Sequence, residues 1–165
     1  MISLRQALKE RPTLVVILAV FLGLIILSGF SSLAVLVIRG QLKANQKLKE
    51  LEHEFAVIEV PLGDIKTRYA SSHKTTLGGV SADYKSDKSY AELRAHYDNE
   101  LKKRGWIFVA EKVVRIWGHD YGGKEAFYCK DGYTAVLQYA GRPEAGMGWT
   151  YNFSLGWGSF DECIR

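Results

Sequence analysis

Hydrophobic positions divide the chain into one long apolar run and a longer region of alternating apolar and polar residues. Residues 13–38 carry no charged side chain over 26 positions. An α-helix of that length spans roughly 39 Å, more than the roughly 30 Å hydrocarbon core of a bilayer. The apolar region of a cleaved signal peptide is usually about 7–15 residues long, so this run is too long for one. The pattern predicts an uncleaved transmembrane helix over 13–38, after an amino-terminal tail of residues 1–12.

The sequence after the apolar run keeps helical character without being hydrophobic. Residues 39–54 contain no proline and consist mainly of good helix formers, which predicts a helical stalk. An apolar stripe with 3-4-3 spacing runs through the end of this segment: Leu48, Leu51, Phe55 and Ile58. One heptad is too short to establish a coiled coil. Two alternatives therefore stay open, because the stripe can pack on the protein's own domain or pair with the stalk of a partner.

Residues 55–165 have the patterns of a compact α+β domain. Its main helix is predicted over 86–104, where Ser89 and Glu92 have the spacing of a capping box. Gly105 follows a basic last turn, as is typical of a helix carboxyl terminus. The rest is rich in β-branched and aromatic residues, with Asp-Gly as a hairpin signal. Strands are predicted around 80–86, 106–117, 124–130, 133–140 and 149–157. We expect an antiparallel sheet of about four to six strands packed on the main helix.

The charge distribution argues against nucleic-acid binding. The sequence pI is about 9.0, but residues 1–54 hold seven Lys and Arg against four acids, whereas the other 111 residues hold fifteen against fourteen. The basic surplus thus flanks the predicted membrane segment, where lipid phosphates attract it, and the domain lacks the charge that nucleic acids require. A short basic tail is exported less readily than a long downstream domain. We therefore expect a cytoplasmic amino terminus and an extracytoplasmic domain, periplasmic or extracellular.

No sequence motif indicates catalysis, cofactor binding or metal binding. The stretch HDYGGKEAFYC, residues 119–129, contains reactive side chains, but its Gly and Asp residues are typical of the bend of a β-hairpin. The four histidines show no H-x-x-x-H spacing, and C-x-x-C is absent. G-x-S-x-G, the P-loop and G-x-G-x-x-G are absent too. We expect a protein that is not an enzyme and has no catalytic, cofactor-binding or metal-binding residues.

Aromatic residues and cysteines give the remaining signals. Residues 55–165 hold nine Tyr, four Trp and five Phe, most of them expected in the core. Trp117, Tyr121 and Tyr128 are candidates for an aromatic platform that binds a glycan or a partner. Cys129 and Cys163 are an even pair in the domain, which suits a disulfide in an oxidising compartment. Two free thiols are the alternative if the domain is cytoplasmic.

The function expected from these features is that of a membrane-anchored, non-enzymatic interaction module. It would be an accessory or scaffold subunit of a larger membrane protein assembly, in contact with the lipid bilayer and with other membrane subunits. Ala19 and Gly23, four positions apart, are candidates for close packing against a second transmembrane helix. The order of anchor, stalk and domain is similar in layout to scaffold subunits of bacterial envelope machines. The alternative is an extracytoplasmic domain that binds a glycan or small ligand through an aromatic face.

Overall fold

The computed structural model describes residues 12–142, 145–158 and 163, which form two helices and six strands. In chain order these are α1 (Pro12–Val57), β1 (Ile65–His73), β2 (Gly78–Lys85), α2 (Tyr90–Lys103), β3 (Ile107–Ile116), β4 (His119–Lys130), β5 (Tyr133–Tyr139) and β6 (Tyr151–Trp157). Backbone contacts divide the chain into two compact units, with the boundary after Leu42. The second unit contains the sheet and α2.

Helix α1 runs without a break for 46 residues, through both the predicted membrane segment and the predicted stalk. Among the described residues, no helical stretch combines the length and the apolarity that crossing a membrane requires, so the transmembrane helix predicted over 13–38 is not found there. The unit boundary lies inside α1. Residues 43–57 therefore belong to the compact domain, whereas the sequence had placed the start of the domain at residue 55.

The six strands form one antiparallel sheet in the order β1-β2-β6-β5-β4-β3. Strands β1 and β2 are a hairpin at one side, and β3, β4 and β5 are a meander at the other. The last strand, β6, pairs with both β2 and β5 and joins the two parts. Helix α2 carries the chain from β2 to the far side of the sheet. As a result β1 and β3 are the two edge strands.

Helix α2 begins and ends where the sequence signals place its caps. Ser89 is the N-cap, and its hydroxyl accepts from the backbone N–H of Glu92 while the Glu92 carboxylate accepts from the Ser89 backbone. Gly105 follows the carboxyl terminus with a φ of 81°, a conformation in which glycine carries no steric penalty. The helix buries Leu93, Tyr97 and Leu101 against the sheet. Its position is thus set by local capping and by one apolar face.

The hydrophobic core lies between one face of the sheet and the two helices. Alternate residues of the four inner strands, β2, β6, β5 and β4, point into it, as period-2 patterning requires. The apolar stripe of α1 packs there as well, since Leu51, Phe55 and Ile58 are 2%, 6% and 5% exposed and Leu48 packs partly buried against the same cluster. The sheet contributes Val80, Ala82, Tyr84, Ala126, Tyr128, Ala135, Leu137, Tyr151, Phe153, Leu155 and Trp157. The stripe is therefore covered by its own domain.

Tyrosines account for much of this core, and the hydroxyls of Tyr97, Tyr128 and Tyr151 are hydrogen-bonded. The rings of Tyr84 and Tyr151 stack with centroids 4.8 Å apart, and the hydroxyl of Tyr97 donates to that of Tyr151 over 3.3 Å. The Tyr151 hydroxyl in turn donates to Oδ2 of Asp64 at 2.9 Å. Burial raises the pKa of Tyr84 to about 12, with a smaller contribution from the Asp64 charge. The aromatic content of the sequence thus serves a packed core with satisfied polar groups.

The interpretation of residues 119–129 as the bend of a hairpin is wrong. The turn is at Trp117 and Gly118, and His119–Lys130 is strand β4. The Gly and Asp residues instead form a bulge, since the pairing partner on β4 jumps from Gly123 to Asp120 between two successive residues of β3. Oδ1 of Asp120 accepts from the backbone N–H of Gly122 at 2.7 Å. Turn-forming residues can serve a bulge as well as a turn, because both require a locally bent backbone.

Candidate interaction edge at strand β3

Strand β3 presents an exposed apolar edge. Within the described chain it pairs only with β4, so the backbone groups on its outer side are available to another strand. Its exposed apolar side chains belong to both faces of the sheet. They are Ile107, Phe108, Val109 and Val113, with exposed fractions of 68%, 44%, 42% and 58%. A long edge with such side chains is a template for strand addition by a partner or for aggregation.

The opposite edge strand, β1, exposes fewer large apolar side chains than β3, namely Ile65 and Tyr69 against four. Strand β1 carries Lys66, Arg68 and His73 among mostly polar residues, and a bulge interrupts its pairing near Thr67. Charged side chains and bulges are devices by which proteins discourage edge-to-edge pairing. Strand β3 also carries charges and a bulge near Val109, but its exposed side chains are mainly apolar on either side of the charged centre. The two edges of this sheet therefore differ in what they can bind.

A strained tryptophan stands at the tip of the β3–β4 hairpin. Trp117 has a φ of 52° and is followed by Gly118 at 82°, so both turn residues have positive φ. The β4–β5 hairpin has the same pattern at Asp131 and Gly132. Asp-Gly is favoured in such turns, whereas a bulky residue with positive φ costs of order 1–3 kcal/mol. The Trp117 side chain is also 96% exposed, so burial within the domain offsets none of that cost.

A polar cluster from α2 holds β3 in place from the helix side. The guanidinium of Arg94 lies 4.0 Å from the centre of the Phe108 ring and donates to the hydroxyl of Tyr128 at 2.7 Å. It also donates to Oε2 of Glu111 at 3.1 Å, and the Tyr90 hydroxyl donates to the same oxygen at 2.7 Å. The hydrogen bond from Tyr90 is the main reason that the pKa of Glu111 lies below its ordinary value. The edge is therefore pre-organised rather than loose.

The aromatic platform predicted at Trp117, Tyr121 and Tyr128 is not formed. Tyr128 is 1% exposed and belongs to the core, and Tyr121 is half-buried beside His119, with ring centroids 6.0 Å apart. Alternation along β4 places Tyr128 on the helix-covered face, which periodicity alone does not distinguish from the open face. Of the three residues, Trp117 is the one whose ring is free to meet a partner.

The cysteines predicted to pair are brought together. Cys129 and Cys163 lie at disulfide distance, with their Cα atoms 5.5 Å apart. Among the residues whose positions are described, no group of three or more His, Cys, Asp or Glu side chains is arranged to hold a metal ion. Ala19 and Gly23 lie within α1, but their packing is outside what the structure describes.

The chain matches no protein-family model, and no curated protein or solved structure is detectably similar to it. Evidence for function therefore comes from the geometry of the domain. No sequence signal marks Phe108 and Val113 as exposed, because a β-rich run has the same pattern in a central strand and at an edge. Trp117 was the residue with a usable signal, since Trp-Gly between two strands occupies a turn whose usual residues are Asn or Asp followed by Gly.

Proposed function

We propose that this protein is a membrane-anchored, non-enzymatic interaction module, and that it serves as an accessory or scaffold subunit of a larger membrane assembly. The sequence supports an anchor through its 26-residue uncharged run over 13–38, which as a helix would be long enough for a bilayer, although no membrane-spanning helix is found among the described residues. A cysteine pair at disulfide distance supports an extracytoplasmic domain, because disulfides persist in oxidising compartments. The amino-terminal tail then lies in the cytoplasm.

The observation that carries the interaction role is the exposed tryptophan at a strained turn. Strained residues cluster at functional sites, and Trp is among the commonest hot-spot residues of interfaces. Trp117 continues directly from the apolar edge of β3, so the turn and the strand form one surface. A partner strand added to β3 gains backbone hydrogen bonds along its length, and Trp117 gains burial at one end. Burial of the indole would offset the conformational cost that the free domain bears.

The proposal is tested with full-length protein in its native membrane, by chemical crosslinking and mass spectrometry after detergent extraction. Lys112 lies on β3 and supplies an amine for crosslinking at this edge. Trp117→Asn is expected to remove the reproducible crosslinks from Lys112 to other subunits. It should also raise the free energy of unfolding by roughly 1 kcal/mol, because Asn tolerates positive φ. A gain in stability together with a loss of association distinguishes a binding residue from a structural one.

Leu62→Asn is the matched control, because Leu62 is 95% exposed and lies in the turn before β1, away from the β3 edge. It should leave the Lys112 crosslinks unchanged. Val113→Lys is a second edge variant, which places a charge where a partner strand would pack and should weaken association without unfolding the domain. Unchanged crosslinks in both edge variants, or recovery of monomer alone from the native membrane, would overturn the proposal.

A further inference from the structure

A cleft of about 780 Å³ lies beside the sheet, and none of its lining residues belongs to β3. Three connections form it: the turn before β1, the β2–α2 loop and the described ends of the β5–β6 loop, residues 139–142 and 147–150. Clefts that hold small ligands usually have volumes of roughly 300–1,000 Å³. This one is open to solvent along one side. Its shape suits a hydrophilic ligand or one unit of a chain more than an enclosed apolar molecule.

Hydrogen-bond donors without partners line the cleft. The side chains of Lys85 and Trp149 make no hydrogen bond to any described residue, and Arg142 uses one guanidinium nitrogen, which donates to the backbone oxygen of Asp120 at 3.1 Å. The acid of the lining, Asp87, is 96% exposed and lies 3.7 Å from the ammonium of Lys88. Lys88 is also paired with Asp64 at 2.9 Å, so Lys85 and Arg142 are the lining cations that have no acidic partner among the described residues. Such a site favours a ligand that carries a negative charge and accepts hydrogen bonds.

The floor of the cleft is fixed before any ligand binds. The hydroxyl of Thr150, next to Trp149, accepts from the backbone N–H of Ser86 at 3.1 Å and donates to the backbone oxygen of Ser86 at 3.0 Å. The backbone N–H of Thr150 donates to Tyr84, and its backbone oxygen accepts from Ala140. These four hydrogen bonds tie the loop to β2 and β5. Trp149 is thus held half-buried in the wall, and little ordering remains to be done on binding.

We infer that this cleft binds an acidic saccharide, of the kind in which a sugar ring carries a carboxylate. The apolar face of the ring packs on Trp149, whose amphipathic side chain suits a ligand that is apolar on one face and polar at its rim. The carboxylate pairs with Lys85 and Arg142, and the planar guanidinium matches its two oxygens. Neither Trp149 nor its neighbours belong to the platform that the sequence suggested. The inference is independent of the role of β3.

The test is titration of the full-length protein in detergent with a short uronic-acid oligosaccharide, followed by isothermal calorimetry. The matched probe is the carboxyl-reduced, neutral form of the same oligosaccharide. The acidic form is expected to bind at least tenfold more tightly than the neutral form, and its affinity should fall as salt is added. Equal binding of the two forms would overturn the inference. Equally tight binding of glycerol phosphate would also overturn it, since the site would then recognise a phosphate group and not a sugar acid.

Variants separate this cleft from the β3 edge. Trp149→Ala should weaken binding of the acidic oligosaccharide at least tenfold. Trp117→Ala, which removes the other accessible tryptophan, should leave the affinity for the oligosaccharide unchanged. Lys85→Gln is a second cleft variant at an exposed position whose side chain makes no hydrogen bond to a described residue, so it keeps the test valid if the Trp149 variant unfolds. It should weaken binding and reduce the dependence on salt. Unchanged affinity in Lys85→Gln and in a folded Trp149→Ala would place the saccharide elsewhere.

Discussion

Phe55 tests whether the end of α1 is part of the domain or a stalk for a partner. Its side chain is 6% exposed and stacks on Phe153 with ring centroids 5.7 Å apart. Tyr69 meets it edge-on at 5.9 Å, and the ammonium of Lys66 lies 5.9 Å from its ring centre. The substitution Phe55→Ala therefore removes a ring that connects α1 to both β1 and β6. Val57, two residues later and 37% exposed, offers a matched control on the same helix.

The expected magnitude follows from burial and cavity formation. Replacing a buried Phe by Ala usually lowers the free energy of unfolding by about 3–5 kcal/mol, which combines the lost transfer free energy with the residual cavity. Aromatic pairs add roughly 0.5–1.5 kcal/mol each, so the upper part of that range is expected here. For a domain of this size the change corresponds to a fall in Tm of roughly 10–20 °C. Val57→Ala should cost less than about 1 kcal/mol, because its side chain is already partly in water.

The assay is urea unfolding of the full-length protein in detergent, followed by tryptophan fluorescence. Trp106 and Trp157 are each 4% exposed, so their emission reports loss of the core and not of the helix. If Phe55→Ala changes stability by no more than Val57→Ala, the packing of the stripe into the domain is refuted. If instead Phe55→Ala changes the oligomeric state and leaves the monomer's unfolding unaltered, the stripe pairs with a partner's stalk.

Three further predictions concern the loss of stability in acid, the cysteine pair and one glycine. Burial alone would raise the pKa of Glu54, but hydrogen bonds from Lys130 and an indole N–H outweigh it and hold that pKa below the ordinary 4.5. The wild type should therefore lose stability as pH falls below about 4.5. In acid unfolding curves, Glu54→Gln should make the stability less dependent on pH. Cys129→Ser removes a link between residues 34 positions apart and should lower the free energy of unfolding, measured in urea, by roughly 3–4 kcal/mol. Alkylation of both cysteines in unreduced native protein would rule the disulfide out. Gly141→Ala places a Cβ 2.3 Å from a backbone oxygen of β4, at a residue whose φ is +83°. It should lower Tm far more than Gly146→Ala, whose added Cβ has no atom within 4 Å. Equal shifts in Tm would contradict the steric argument.

The caps of α2 and the turn of the β4–β5 hairpin were open to prediction because their causes are local. The capping box of α2 involves residues three positions apart, so its spacing is legible in the sequence. Asp131-Gly132 occupies a turn with positive φ at both residues, which two side chains determine by themselves. The strand predicted around 149–157 is β6, in which Tyr151, Phe153 and Leu155 are each no more than 1% exposed. In each case a short window of sequence contains the whole physical reason.

What the tertiary structure decided was which element lies beside which. The sequence determined one main helix, a set of strands, an apolar stripe near Phe55 and a cysteine pair suited to bonding. Strand order depends on long-range pairing, so only the fold places β6 between β2 and β5 and leaves β3 at an edge. That placement buries Tyr128 and leaves Trp117 in water, although both are aromatic residues of the same hairpin. Exposure depends on the neighbours that the whole chain brings to a residue, and the local pattern does not contain them.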